Sequence, residues 1–527
     1  MVKKVIVVGG GNAGYSVAVA IKRINPNIDV HLFYNKAIPT LGVGESTVPQ
    51  VATFYTAFLG YDQTEFMRKT DTVFKFANKL ENFARNEGEY TYFGFSYNLQ
   101  GADLLNGFFH QYTNSDFRSV TNNKDRFTDY FIKLYNQKKL SYNDINPYIN
   151  EHYGFLEQNK CPFNGREYLA NSCWSWAYHT DANKITEVLK ETSKLIKIIE
   201  HEGNITPIIE NNICKGIVQG SVTHTADLYI DASGFSRGLF SKLDLEWEDY
   251  PLIPVNKAWL VNSNYTNKDQ QMTAYTRSIA MNAGWRFEIA LYSRIGNGYV
   301  YSPKHISDEE ALKELEAQVP PSTWIHQPRL ISWRPGRYKK AAINNLVSAG
   351  IATGFFEPLL SNALYLSVSS AKKIALLLQK CNNGDKLSDL LDNYNSSTDI
   401  LYNSIYDFLA ATYKFTSRSD TPFWREQKEI GSTLNLIGKI QQQYYSEYNN
   451  IENNINGYSI FPDFMWINLA THFNQNINWT PAYEVDENKL NLAETTFKYI
   501  KDKSVQSAFL SPTFYEWHRK YVYEDQP

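Results

Sequence analysis

The sequence predicts an α/β (α+β) chain, and three observations carry that expectation. An apolar run, Val5-Ile6-Val7-Val8, ends in Gly9-Gly10-Gly11-Asn12-Ala13-Gly14 and leads into a helical stretch from Tyr15 to Ile21. Far downstream another apolar strand, Ala226 to Asp231, closes on Ala232-Ser233-Gly234. Residues 255–335 read as sheet-rich, whereas beyond residue 385 the spacing is helical and strand alternation does not persist. The chain therefore reads as a core over residues 1–385 with insertions at about 85–170 and 255–335, followed by a mainly helical cap over 386–527.

Composition narrows the class. At 527 residues and 43% hydrophobic content the chain can bury a sizeable core. A formal charge of −3 supplies no basic field, so neither nucleic acid nor a membrane surface is an expected partner. The 37 Tyr and 11 Trp suit a protein lined with flat contact surfaces. Cys161, Cys173, Cys214 and Cys381 are widely spaced with no C-x-x-C pair, which argues against structural zinc or a disulfide framework and fits a reducing compartment. No apolar run reaches membrane-spanning length, and the first residues enter a strand at once, so the expected location is cytoplasmic.

Taken in order, the first strand and helix place Gly9, Gly11 and Gly14 in the G-x-G-x-x-G slots of a dinucleotide-binding turn. Glycine there lets the backbone turn tightly and approach a pyrophosphate seated on the helix N-terminus. Val30 to Tyr34 reads as the second strand, which in such units ends in an acid that binds ribose; here Tyr34-Asn35 stands in that place. Ile38 to Pro49 is a Gly/Pro-rich loop containing Gly42-Val43-Gly44-Glu45-Ser46, with a helix expected over about Gln50 to Leu59. Glu65 to Phe83 has the spacing of an amphipathic helix, on which Lys75 and Lys79 would share one face. The Trp174/Trp176 pair reads as packing. His179 and Asp181 precede a clear helix, Ala182 to Ile196, a setting that favours Asp181 as its cap over a metal pair. No cluster has metal-ligand spacing. Trp285 and Phe287 alternate as on a strand and share a face. A strand over Asn345 to Ile351 meets Gly354-Phe355-Phe356-Glu357-Pro358-Leu359-Leu360-Ser361-Asn362-Ala363, which opens a long helix to about Gln379.

In this order the motifs resemble the flavin-dependent tryptophan halogenases, from residue 1 to roughly residue 430. The matching stretches are the Gly-rich opening, Gly42 to Pro49 as the flavin strap, Phe74-Lys75, Tyr178-His179-Thr180-Asp181-Ala182 and Asp231 to Phe235. Arg334-Pro335-Gly336-Arg337, Phe355 to Leu359 and Asp420-Thr421-Pro422-Phe423-Trp424-Arg425 complete the set. The resemblance implies an FAD-binding, glutathione-reductase-like Rossmann core with a mixed-sheet substrate region and a helical cap. Gly9, Gly11, Asn12, Ala13, Gly14, Tyr34, Gly42, Val43, Gly44, Glu45, Asp231, Gly234, Gly350 and Leu359 are the residues it assigns to FAD. It further implies an enzyme that uses FADH2 from a separate flavin reductase, O2 and a halide to form hypohalous acid, and a halide site at the backbone amides of Asn362 and Ala363. Lys75 falls at the family's catalytic lysine and Ser361 keeps the neighbouring polar place. An ammonium would polarise the hypohalous acid and a neutral amine would form a haloamine; both remain open on sequence. Phe93, Phe423 and Trp424 match substrate-side aromatics.

The departures are equally specific. The family places a glutamate facing the lysine, where this chain has Leu360. Its Trp-x-Trp-x-Ile-Pro signature is reduced to Trp285-Arg286-Phe287-Glu288-Ile289-Ala290, and its substrate-stacking His falls at Thr91. The expected reaction is halogenation of an electron-rich aromatic small molecule other than free tryptophan, with bromide or iodide favoured and chloride usable. A monooxygenase that hydroxylates an arene without halide is the alternative, and a flavin-binding protein without activity is the third reading. The Asn-, Lys- and Tyr-rich composition points to an AT-rich genome and a phage-encoded branch of the family; a homo-oligomer is compatible with the sequence.

Overall fold

The computed structural model describes residues 1–37, 42, 44–85, 88–95, 127–141, 146–150, 152–168, 176–433, 461, 463–473 and 485–524. Val43, Cys173, Trp174 and parts of the expected insertion at 85–170 lie outside the described residues.

Val5, Ile6, Val7 and Val8 are all buried, the pattern of a parallel strand covered on both faces. Lys4–Val8 pairs in parallel with Asp29–Tyr34 on one side and Leu228–Asp231 on the other. The six-stranded sheet runs Ile199–Glu202, Asp29–Tyr34, Lys4–Val8, Leu228–Asp231, Leu346–Ser348, Ala342–Ile343, and only the last pairing is antiparallel. The first helix, Asn12–Ile24, packs along the helix Asn362–Asn382, so the elements that follow the Gly-rich turn and the Glu357–Ala363 turn lie side by side.

The middle of the chain is a seven-stranded sheet reaching from Arg329–Ser332 to Tyr90–Gly94. Its neighbours are antiparallel except Tyr275–Met281 and Ala77–Glu81, which are parallel. A third, small sheet joins the two halves: the strap strand Glu45–Ser46 and the strand Val73–Lys75 flank Ala177–Thr180, both antiparallel to it.

That small sheet corrects one expectation. The amphipathic helix over Glu65 to Phe83 does not form: a helix covers only Gln63–Lys69, and strands Val73–Lys75 and Ala77–Glu81 follow. Asp71 turns the chain with φ +56°, held by the Ser293 amide and the Arg294 guanidinium. Thr72-Val73-Phe74 is β-branched and aromatic, and pairing with Tyr178 and His179, distant in sequence, overrides the helical spacing. Lys75 and Lys79 therefore lie in separate strands. Lys75 is fully buried, while the Lys79 ammonium sits 4.0 Å from the Tyr90 ring centre.

The expected Asp181 cap and the helical spacing beyond residue 385 are both seen. Asp181 caps Ala182–Leu195 by accepting from the amides of Asn183 and Lys184. Beyond residue 385 the described elements are helices: Leu387–Lys414, Pro422–Thr433, Asp463–His472, Leu490–Ala508 and Phe514–His518 among them. Among the described residues, no helix is long and apolar enough to cross a membrane.

Candidate active site

The dinucleotide turn is built by close approach. A Cβ at Gly14 would sit 1.8 Å from the Gly9 carbonyl oxygen, and one at Gly9 would sit 2.2 Å from that of Ala232. Glycine alone lets strand, turn and helix come this near, leaving bare backbone at a helix N-terminus where Gly11 offers no side-chain cap. Asn12 exchanges hydrogen bonds with the Tyr55 hydroxyl beside it. Gly350, at φ +59°, faces Ala13, so the second half of the cleft closes on the first. These features fit a dinucleotide cofactor.

The acid missing after the second strand is supplied by its neighbour. Glu200 accepts from the hydroxyls of Tyr34 at 3.2 Å, Tyr15 at 3.1 Å and Ser193 at 2.5 Å. No spacing in the sequence links residue 200 to residue 34; the parallel pairing of their strands, with Glu200 opposite Leu32, brings them within reach. Asp231 ends the parallel strand Leu228–Asp231 and is fully buried. Its carboxylate accepts from the Ser233 amide and hydroxyl and from the amides of Leu239 and Phe240, which fills its acceptor capacity. Asp231 thus shapes the turn to Gly234 (φ +65°).

The strap borders a cavity of about 130 Å³. Gly44, Glu45 and Ser46 form one wall, Trp285 and Phe287 another, and Leu360, Ser361 and Ala363 the end. Gly44 takes φ +110° because a side chain would strike Leu291. Burial, then the charge of Asp181, pushes the Glu45 carboxyl up to about 8. Behind this cavity lies Lys75, whose Nζ donates to the Thr47 carbonyl at 2.8 Å and to Ser361 Oγ at 2.9 Å. Burial drives its pKa well below the ordinary lysine value, and no acid among the described residues offsets this.

Leu359 is buried, and after it Leu360 and Ser361 take φ +61° and +69° in succession. Two consecutive non-glycine residues in the left-handed region store strain of the kind concentrated at functional sites. The turn aims Ser361 at Lys75 and opens Asn362–Asn382 with no side-chain cap from Ser361. Asn362 Nδ2 instead donates to the carbonyls of Glu357 and Leu359. The first-turn N–H groups of this 21-residue helix are thereby left without a side-chain cap next to the cavity that Ser361 and Ala363 line, a setting that favours an anion.

The remaining candidates are not brought together with Lys75. Phe93 packs edge-on to Phe408. Phe423 and Trp424 are fully buried against each other and Tyr413, and the Trp424 indole donates to the Met281 carbonyl. Trp285 lines the cavity and donates to Glu357 Oε2 at 3.0 Å, tying two motifs into one wall. Gly42 lies against Asn183. A larger, more open cleft of about 350 Å³ lies by Lys304, His305 and Lys414 and is bordered by Arg334 and Pro335 of one motif; Lys75 and the strap do not line it.

The sequence profile of the tryptophan halogenase family matches residues 4–470. The chain belongs to that family. Tryptophan 7-halogenase RebH of Lentzea aerocolonigenes is 27% identical over 509 residues, covering 87% of this chain and 89% of the relative. Tryptophan 6-halogenase ThaL of Streptomyces albogriseolus is 27% identical over 471 residues, covering 84% and 81%. Among solved structures, Xcc4156, a flavin-dependent halogenase from Xanthomonas campestris, shares the fold with a TM-score of 0.79 at 21% identity, covering each chain completely. The α/β architecture is that of the flavin-dependent halogenases, and the protein is a halogenating flavoenzyme. In this chain the apolar Leu360 adjoins Ser361, the partner of a buried lysine whose low pKa no neighbouring carboxylate among the described residues offsets.

Proposed function

We propose that this halogenase brominates or iodinates electron-rich aromatic small molecules other than free tryptophan, with Lys75 carrying the halogen to the ring. The carrying observation is the state of Lys75: fully buried, bonded to Thr47 and Ser361, and held toward the neutral amine by burial. FAD would lie along Gly9–Gly14, with Tyr34 and Glu200 at its ribose and its ring by Gly44 and Glu45. Reduced by a separate flavin reductase, it supplies with O2 the oxidising power that turns halide into hypohalous acid. The uncapped amides at Asn362 and Ala363 would bind the halide.

A neutral Lys75 then acts as nucleophile. Its nitrogen lone pair forms the N–halogen bond as the O–halogen bond breaks, and an amine proton joins the departing oxygen as water. The arene next takes the halogen, the N–halogen pair returns to nitrogen, and the ring proton ends on that nitrogen. With Leu360 in place of a carboxylate, the lysine is the base at hand, so rings that lose a proton readily are favoured. Thr91 supports a substrate other than tryptophan: it is buried and bonded to Asn146 and Asn468, with no flat face to offer an indole.

Mass spectrometry tests this reading. The protein is supplied with FAD, NADH, a flavin reductase and a panel of phenols and indoles, with chloride, bromide or iodide. Brominated or iodinated product that disappears in Lys75→Ala is the expected result. Oxygenated product without halide would place the enzyme with the monooxygenases, and faster chlorination of an unactivated ring would overturn the substrate class.

A further inference from the structure

A chain of polar groups crosses the centre of the molecule. Lys75 Nζ donates to Ser361 Oγ at 2.9 Å, and Ser361 Oγ to Ser46 Oγ at 2.7 Å. Ser46 Oγ meets Thr276 Oγ1 at 2.5 Å, and Thr276 Oγ1 meets His179 Nε2 at 2.8 Å. All five residues are buried. They come from the small central sheet, the seven-stranded sheet and the strained turn before Asn362–Asn382.

The far end sets the direction. His179 Nδ1 lies 3.0 Å from the Ala290 carbonyl, which can only accept, so Nδ1 carries the proton. Burial keeps His179 neutral, and Nε2 is therefore a bare acceptor. Each hydroxyl has one proton to give. Thr276 donates to His179, so it accepts from Ser46; Ser46 accepts from Ser361; Ser361 accepts from Lys75. Asn78 Oδ1, 3.3 Å from Ser361 Oγ, is the weaker competitor for the Ser361 proton.

We propose that His179 is a positioning residue that, through Thr276, Ser46 and Ser361, holds Lys75 as a double hydrogen-bond donor and leaves its lone pair free for the halogen. A neutral amine has two N–H bonds. One goes to Thr47 and the other to Ser361, so nothing in this chain of hydroxyls occupies the lone pair. Were the chain reversed, Ser361 would donate into that lone pair and blunt the nucleophile. The inference rests on the lysine-directed reading above, and it identifies what keeps the amine reactive in a site without the family's glutamate.

The test uses Thr276→Val, which keeps the side-chain shape and removes the hydroxyl, Thr276→Ser, which restores it, and Lys75→Ala. The full-length protein is supplied with FAD, a reductase, bromide and phenol, and bromophenol is measured against hypobromous acid caught by an added trap. In parallel, the Lys75 amine resonance of flavin-free, 15N-lysine-labelled protein is followed, assigned by its loss in Lys75→Ala. Thr276→Val is expected to lower the ratio of bromophenol to trapped acid by about tenfold to a hundredfold and to move the Lys75 resonance. Thr276→Ser is expected to restore both. The inference is overturned if Lys75→Ala abolishes ring bromination while Thr276→Val leaves ratio and resonance unchanged, or if Val and Ser variants lose them alike. Bromination that survives Lys75→Ala would overturn the lysine-directed reading instead.

Discussion

Glu357 shows how one side chain at the site couples to pH. Its carboxyl is fully buried, accepts from the Trp285 indole, and is pushed by burial up to about 8. In the unfolded chain a glutamate ionises near its ordinary value of about 4.3. Between these values the folded protein keeps the proton that the unfolded chain releases, so rising pH favours unfolding. The stabilising contribution is full below the unfolded value and is lost as pH climbs through about 8. Glu357→Gln carries no proton to lose. Melting temperatures of flavin-free protein taken from pH 5 to pH 9 should therefore fall more steeply for the wild type than for Glu357→Gln. Parallel curves would mean that Glu357 is ionised in the fold. Glu45, also pushed up to about 8, leaves a residual slope in both proteins.

At the level of elements, what the sequence made legible was local. The first strand, its turn and its helix are adjacent in the chain, and glycine at position 14 is forced by a contact within a few residues, so spacing alone revealed them. Gly14→Ala tests that reading, because the added Cβ would overlap the Gly9 carbonyl. The expected cost is about 1–3 kcal/mol in stability, as for an overpacked core site, together with lost FAD binding by fluorescence titration. An Ala variant that binds FAD as the wild type does would show that the helix can shift away from the turn. The strand Val73–Lys75 was not legible in this way. Its partner lies far along the chain, beyond several other strands and helices, and only pairing with Ala177–Thr180 tells it apart from a continuing helix. Glu200 and the Ser46–Thr276–His179 chain escaped for a related reason. Serine, threonine and histidine carry no signature until the fold sets them within hydrogen-bond distance. Resemblance found the lysine; packing alone showed what surrounds it.

Across the whole molecule, the end of the chain returns to the middle of its first half. The short helix Phe514–His518 lies over the strand that bears Lys75. His518 Nε2 accepts from the Phe74 amide at 3.0 Å, while its Nδ1 faces the Phe514 carbonyl. Burial depresses the His518 pKa to about 3, so it remains the neutral acceptor this bond requires. The Phe74 ring is packed by Trp517 and Phe163. Among the described residues, the hydrogen bonds and ring contacts of this arrangement do not include the Gly-rich turn, so the two halves of the reaction should be separable by mutation. Removing residues 512–527, or substituting His518→Leu to leave the Phe74 N–H without its acceptor, should free the lysine strand at a cost of about 1–3 kcal/mol. FAD affinity should stay at the wild-type level while hypohalous acid escapes and ring halogenation falls. Comparing FAD titration with the ratio of ring product to trapped hypohalous acid in both variants decides the matter. Wild-type ratios in both would mean that Val73–Lys75 is held by its own sheet and that the C-terminal helix only covers it. A loss of FAD binding alongside would mean that the C-terminal helix supports the fold as a whole, because, among the described residues, its hydrogen bonds and ring contacts do not include the cofactor turn.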